Sequence, residues 1–141
     1  MSKLIVFLTL LVSFSYCVNL EGYEIFQINS NSDGQLFQLE QNKRFAFQLS
    51  SNPSTGYEWV ISNIDEIKKS NLLSIVNLTE KNGGEFLSDP NPSHYTGVGG
   101  KCFFKIHNNN NGAGIVNINL SYKRSWEDKP MRSFVVKVEV I

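Results

Sequence analysis

Three observations predict an all-β sandwich. Apolar residues recur with a period of two along most of the chain, turn signals rich in Gly, Asn, Asp and Pro separate these runs, and no window sustains a helical period. Alternation of this kind puts one face of each strand against a core and the other toward water, the pattern of antiparallel sheets packed face to face. At 141 residues the chain suits one domain with a substantial core.

Charge narrows the function classes. Thirteen basic and thirteen acidic residues cancel, so no net field draws the chain to a nucleic-acid backbone or an anionic membrane surface. The N-terminus reads as a targeting segment: Lys3 is its positive end, Leu4 to Val12 its apolar stretch, and Ser15-Tyr16-Cys17 a small-x-small cleavage site. Residues 1–17 are therefore expected to be a signal peptide and 18–141 a single mature domain. An uncleaved anchor is the alternative, but the apolar run is shorter than the ~20 residues a spanning helix needs. Removing the leader takes away Cys17 and leaves Cys102 unpaired, so the mature fold must stand on packing without a disulfide. Asn77-Leu78-Thr79 and Asn119-Leu120-Ser121 are possible glycosylation sites; proline blocks Asn52-Pro53-Ser54 and Asn91-Pro92-Ser93.

In chain order, Tyr23 to Ile28 and Leu36 to Leu39 read as short strands around the turn Asn31-Ser32-Asp33-Gly34. From Lys43 to Ser50, Phe45, Phe47 and Leu49 form one apolar face. The loop Asn52-Pro53-Ser54-Thr55-Gly56 is sharp and stiff: Pro53 sets its own φ and biases Asn52 toward extension, and Gly56 tolerates a positive φ. Tyr57 to Ile61 follows, with Tyr57 and Trp59 on one face. Ile64 to Lys69 reads as a linker, since its apolar spacing allows at most a turn or two of helix. Leu72 to Thr79 reads as a strand, and Glu85 to Gly100 as a polar loop. Lys101 to His107 turns Cys102, Phe104 and Ile106 one way, which makes Cys102 a small core residue. Val116, Ile118, Leu120 and Tyr122 alternate after the Asn/Gly turn 108–114, and Phe134, Val136, Val138 and Val140 form the last strand. Seven or eight antiparallel strands with turns between them point to an immunoglobulin-like β-sandwich, with a closed barrel as runner-up.

Successive antiparallel strands reverse direction, so loops separated by two strands leave the same end of a sandwich. The loop at Thr55, the loop ending Gly97-Val98-Gly99-Gly100 and the turn at Lys123-Arg124-Ser125-Trp126 should then cluster at one pole. A stiff turn, a glycine ribbon and an aromatic beside a basic residue have the composition of a binding edge. Each is ordinary alone. Gly-x-Gly-Gly lacks the strand-then-helix setting of a phosphate loop, and a Trp after a strand caps a core as readily as it faces a partner.

Together and in this order, Asn52-Pro53-Ser54-Thr55-Gly56-Tyr57, Gly97-Val98-Gly99-Gly100 and Arg124-Ser125-Trp126 resemble the three loop motifs of the chagasin-type inhibitors of papain-like cysteine peptidases. The resemblance spans about Tyr23 to Ile141. Ser54 stands where the family usually has Thr, and Ser125 where it has Pro, a change that loosens the third loop. The resemblance implies a reversible, competitive, tight-binding inhibitor that inserts these thirteen residues as a wedge. The first loop would lie over the catalytic Cys-His pair, with the glycine loop on the non-primed side and Trp126 on the primed side. It implies a monomer whose partners are papain-like or cathepsin L/B-like peptidases, secreted or held in lysosome-like or phagosomal vesicles, with no cofactor. No Ser/His/Asp or Cys/His arrangement and no metal-ligand spacing is recognisable, so no catalytic or metal-binding residues are expected. A non-inhibitory adhesion or carbohydrate-binding sandwich is the competing reading, because fold alone does not assign function.

Overall fold

The period-two runs become strands where their alternate residues find a common core. The computed structural model describes residues 18–90 and 99–141; the leader-like segment and the motif residues Gly97 and Val98 lie outside them. In chain order the described residues form β1 (Glu24–Gln27), β2 (Leu36–Leu39), β3 (Arg44–Ser51), β4 (Tyr57–Ile61), α1 (Ile64–Ser70), β5 (Leu73–Ile75), β6 (Glu85–Ser88), β7 (Gly100–Asn108), β8 (Gly114–Arg124) and β9 (Arg132–Val140). One sheet has the order β1-β3-β7, with both β5 and β6 on the far side of β7; the other has the order β2-β9-β8-β4. Facing rows of Phe45, Phe47, Leu49, Phe104 and Ile106 from the first sheet and Ile118, Leu120, Val136 and Val138 from the second are buried between them. The Trp59 indole N–H donates to the Ser50 carbonyl at 2.9 Å, tying β4 in one sheet to β3 in the other just beneath the loop that joins them.

The sandwich matches the sequence reading, but its sheets are mixed and its described residues hold nine strands. β1 pairs with β3 in parallel, and so does β2 with β9. The chain passes from β1 into the other sheet as β2 and back as β3, so β1 and β3 follow two reversals and point the same way. Alternation reports which face a residue occupies; it carries no information about which strand lies beside it.

Three segments differ from their expected state. Ile64 to Lys69, read as a linker, is helix α1, with Ile67 buried and acidic Asp65 and Glu66 in its first turn. Asn71, at φ 55°, ends it. Two turns bury one apolar residue fully, too few to write a period. Leu72 to Thr79, read as one strand, keeps strand geometry only over β5, and the expected loop after Glu85 begins as β6. Both pieces pair antiparallel with β7, β5 against Ile106 to Asn108 and β6 against Gly100 to Phe103. They therefore run in one direction, as a single strand interrupted by residues 76–84. That excursion crosses to the second sheet, where Gly83 bridges Val60 and Ile61 N–H donates to Asn82 C=O at 2.9 Å.

At the far end of β7 from the loops, the Tyr23 hydroxyl and His107 Nε2 share a hydrogen bond, with Arg44 and Lys105 at 4.9 and 5.5 Å from the Tyr23 ring. Glu85 pairs with Lys105 at 3.2 Å. Burial, then the charges of Arg44 and Lys105, hold the His107 pKa below its ordinary value of 6.5. The unfolded chain accepts a proton that the folded chain refuses, so this contribution is fully present above about pH 6.5 and is lost as pH falls below it. The melting temperature is expected to be flat above about pH 7 and to drop below about pH 6. His107→Gln, which keeps a hydrogen-bonding group beside Tyr23 but cannot titrate, should flatten that drop; parallel curves for both proteins would assign it to other groups.

Candidate functional site

Pro53 starts a single 3-10 turn over Pro53–Thr55, and Gly56 ends it at φ 84°, a left-handed conformation that costs glycine nothing. The turn is closed from within. Thr55 N–H donates to Asn52 C=O at 3.2 Å and Gly56 N–H to Pro53 C=O at 2.9 Å. The Thr55 hydroxyl donates to the same Asn52 carbonyl at 2.7 Å, and the Ser54 hydroxyl donates to Asn52 Oδ1 at 2.6 Å. Pro53, Ser54 and Thr55 remain exposed at the tip. Beyond the turn, Tyr57 stacks on Tyr122 at 5.3 Å, while Trp59 is buried against Tyr122 and Phe134. The two aromatics do share a face, and it is the core face.

The third motif is a turn of its own. Glu127 N–H donates to Arg124 C=O at 3.1 Å, which leaves Ser125 and Trp126 as the two central residues. Trp126 is 70% exposed, the most open of the large apolar side chains among the described residues. Arg124 ties the loops together. Its Nε donates to Thr55 C=O at 3.3 Å, its guanidinium lies 4.4 Å from the Tyr57 ring and 5.7 Å from that of Trp126, and its Nη1 bonds Glu127 at 3.2 Å. The Trp126 indole lies across Gly56, where a Cβ would meet Trp126 Cη2 at 2.7 Å.

The glycine motif joins from the other sheet. Ser51, the last residue before the first loop, pairs with Gly100, and Gly99 lies so close that a Cβ on it would be 3.3 Å from the Ser51 carbonyl. Asp89 N–H donates to Gly99 C=O at 2.9 Å. Thus Asn52, Pro53, Ser54, Thr55, Gly56, Tyr57, Gly99, Gly100, Arg124, Ser125 and Trp126 do gather at one pole; Gly97 and Val98 lie outside the described residues. Gly100 has a steric role within the fold. A Cβ there would stand 2.2 Å from Leu87 C=O and 2.8 Å from Phe86 Cζ, so its missing side chain makes room for the chain's own β6.

Two features at this pole had no signal in the sequence. Phe86 is 40% exposed beside Gly100. A groove of about 330 Å3 flanks Trp126, lined by Glu58, Val60, Lys81, Lys123 and Ser125. Phe86 sits in a segment without alternation, and the groove joins residues from three parts of the chain. Neither offers reactive chemistry. Burial pushes the Cys102 thiol up to about 12, and His107 sits at the opposite end of β7, so the thiol is not paired with a histidine base.

A shape without chemistry is consistent with what the chain is similar to. Residues 38–138 match the model of the chagasin family peptidase inhibitor I42. The chain belongs to the chagasin family of peptidase inhibitors. Family members are inhibitors and not enzymes. Amoebiasin-1 of Entamoeba histolytica is 31% identical over 93 residues, which cover 65% of this chain and 76% of that protein. The crystal structure of a cysteine protease inhibitor from Entamoeba histolytica, EhICP2, superimposes with a TM-score of 0.61 at 25% identity, over 83% of this chain and 96% of that one. The solution structure of Amebosin shares the fold, with a TM-score of 0.58 at 24% identity over 85% of this chain and all of its own.

The steric role of Gly100 carries a stability prediction. Gly100→Ala places a methyl group against backbone atoms of β6, and overpacking of this kind costs roughly 1–3 kcal/mol. Thermal denaturation should show a clear drop in melting temperature for this variant. An unchanged value would mean that β6 yields without cost.

Proposed function

We propose that this chagasin-family chain is a reversible, competitive, tight-binding inhibitor of papain-like cysteine peptidases, and that the pole of three loops is the wedge entering their active-site cleft. The observation that carries the reading is the cross-tie at that pole: Arg124 binds the Thr55 carbonyl and covers Tyr57, and Gly56 receives the Trp126 indole. Loops held to one another before binding lose little freedom on binding, which lets a modest contact area give high affinity. The relation to EhICP2, described as a cysteine protease inhibitor, supports the class of target.

The first loop would occupy the catalytic centre without being cut. Peptidases of this class act on extended chain, and a Pro53–Thr55 turn closed by its own hydrogen bonds presents none. Thr55 at the exposed tip meets the catalytic Cys-His pair, Gly99 lets the backbone approach along the non-primed side, and Trp126 offers a broad apolar face to the primed side. The partner is a peptidase of papain or cathepsin L/B type, bound by a monomer. The pattern from Lys3 to Cys17 supports passage through the secretory pathway, to the outside or to lysosome-like or phagosomal vesicles.

Titration of the mature chain against a papain-like peptidase should abolish activity stoichiometrically; no inhibition at micromolar concentration would overturn the reading. Within it, Thr55→Asp should lower the melting temperature only slightly, through loss of the exposed hydroxyl bond to Asn52 C=O, yet weaken inhibition about tenfold or more. Burying an unmatched charge at the centre of an interface accounts for that loss. Inhibition within threefold of wild type would remove this loop from the interface. Ser125→Pro tests the third loop. Ser125 occupies the first central position of its turn, where the φ of proline is already native to the common turn types, so the variant should stiffen the loop and slow dissociation. Stopped-flow displacement would show it; faster release would mean that the turn has another shape.

A further inference from the structure

The two Asn-x-Ser/Thr tripeptides are alike in sequence, and the fold makes them unequal. Asn77 sits where residues 76–84 leave the edge of β7, and its carboxamide fills the missing place in the ladder. Oδ1 accepts the Lys105 N–H at 2.9 Å, while Nδ2 donates to Phe103 C=O at 2.9 Å and to Glu85 Oε1 at 3.0 Å. Both amide hydrogens are committed. Thr79 is committed too: its Oγ1 accepts the Gly83 N–H at 2.9 Å, and its own N–H donates to Gly83 C=O at 2.8 Å.

Asn119 lies between the buried Ile118 and Leu120 on β8, so its side chain stands on the outer face of the second sheet, half-buried as Asn77 is and two residues from the buried Ser121, and the contrast between the two lies in their hydrogen bonds. Its backbone is already served, the N–H by Asn63 Oδ1 at 3.0 Å and the carbonyl by Ser62 N–H at 2.9 Å. Its carboxamide makes no hydrogen bond to any described residue. It is five positions from Arg124, about 17 Å along the strand, so a group attached there clears the three loops.

We infer that Asn119 is the acceptor of an N-linked glycan and that the Asn77 sequon is closed in the folded protein. In the transfer, a lipid-pyrophosphate-linked oligosaccharide loses its anomeric C–O bond and Nδ2 forms the new C–N bond. One Nδ2 proton leaves to a base of the host transferase, and the lipid pyrophosphate departs. At Asn119 this displaces no hydrogen bond within the protein; at Asn77 it removes one of two donors and forces a sugar against the edge of β7.

The inference rests on the secretory reading given above, and the test enforces that step independently of inhibition. The full chain is expressed behind a yeast secretion leader, the folded fraction is recovered from the medium, and each sequon is mapped by mass spectrometry after enzymatic release of glycans. A glycan on Asn119 with Asn77 unmodified is the expected result, and Asn119→Gln should remove all glycan and leave the melting temperature unchanged. Asn77→Asp, which keeps the acceptor but removes both donors, should lower the melting temperature by about 5 °C or more. A glycan on Asn77 in cooperatively folding protein, an unoccupied Asn119, or an Asn77→Asp variant as stable as wild type would each overturn the proposal. Loss of peptidase inhibition with this glycan map intact would count against the inhibitor reading alone.

Discussion

β7 and β8 are central strands, and a central strand must have its backbone groups paired on both edges. Their neighbours do not extend far enough to do this. Where β4 ends against β8, Asn63 continues the ladder with its side chain, donating to Asn117 C=O at 2.8 Å and accepting from Asn119 N–H at 3.0 Å. Where the partner of β7 is interrupted, Asn77 does the same. A carboxamide carries the donor and acceptor of a peptide group, so it can replace one without leaving a buried polar atom unpaired, a defect worth roughly 1–3 kcal/mol. Asn108 applies the same device at the end of the sandwich, donating to Leu39 C=O at 3.0 Å and accepting from Asn110 N–H at 2.8 Å. No buried side-chain nitrogen or oxygen among the described residues lacks a partner.

That pairing allows the chain to leave β7 at residue 76 and return at residue 85 without reversing. The interrupted strand counts as one for direction, and the alternation of up and down is preserved through β9. Three strands lie between the first loop and the glycine loop, where the sequence reading counted two, yet both loops leave the same pole because β5 and β6 point the same way. The clustering of the loops is thus a consequence of strand direction, and Asn77 keeps the edge of β7 paired across the gap.

At the pole, the residues of the three loops first serve the protein itself. Gly100 accommodates β6, Gly56 accommodates Trp126, and Arg124 binds the carbonyl of Thr55. Among what remains exposed are Pro53, Ser54, Thr55, Ser125, Phe86 and the face of Trp126. This division gives an edge that is stiff from within and bare at the tip. The thiol of Cys102 is buried and held protonated, so this edge offers shape and contact rather than a reactive thiol.

The sequence by itself determined which residues face the core, because alternation along β3, β7, β8 and β9 encodes the face of each side chain. It also determined the local geometry of the first loop, where Pro53 and Gly56 restrict or free the backbone whatever surrounds them. The order of motifs, with strand reversal, was enough to bring three loops to one pole. Only the tertiary structure decided which strands are neighbours: the parallel pairs at β1 and β2, the four-residue β6 and the two turns of α1 exist because of what lies beside them. Short elements bury too few residues to write a period, so their state is set by a neighbouring edge. The clamp of Arg124 on Thr55 and the unequal fates of Asn77 and Asn119 have the same origin, since hydrogen bonds between residues 28 to 69 positions apart leave no trace in the spacing of either partner.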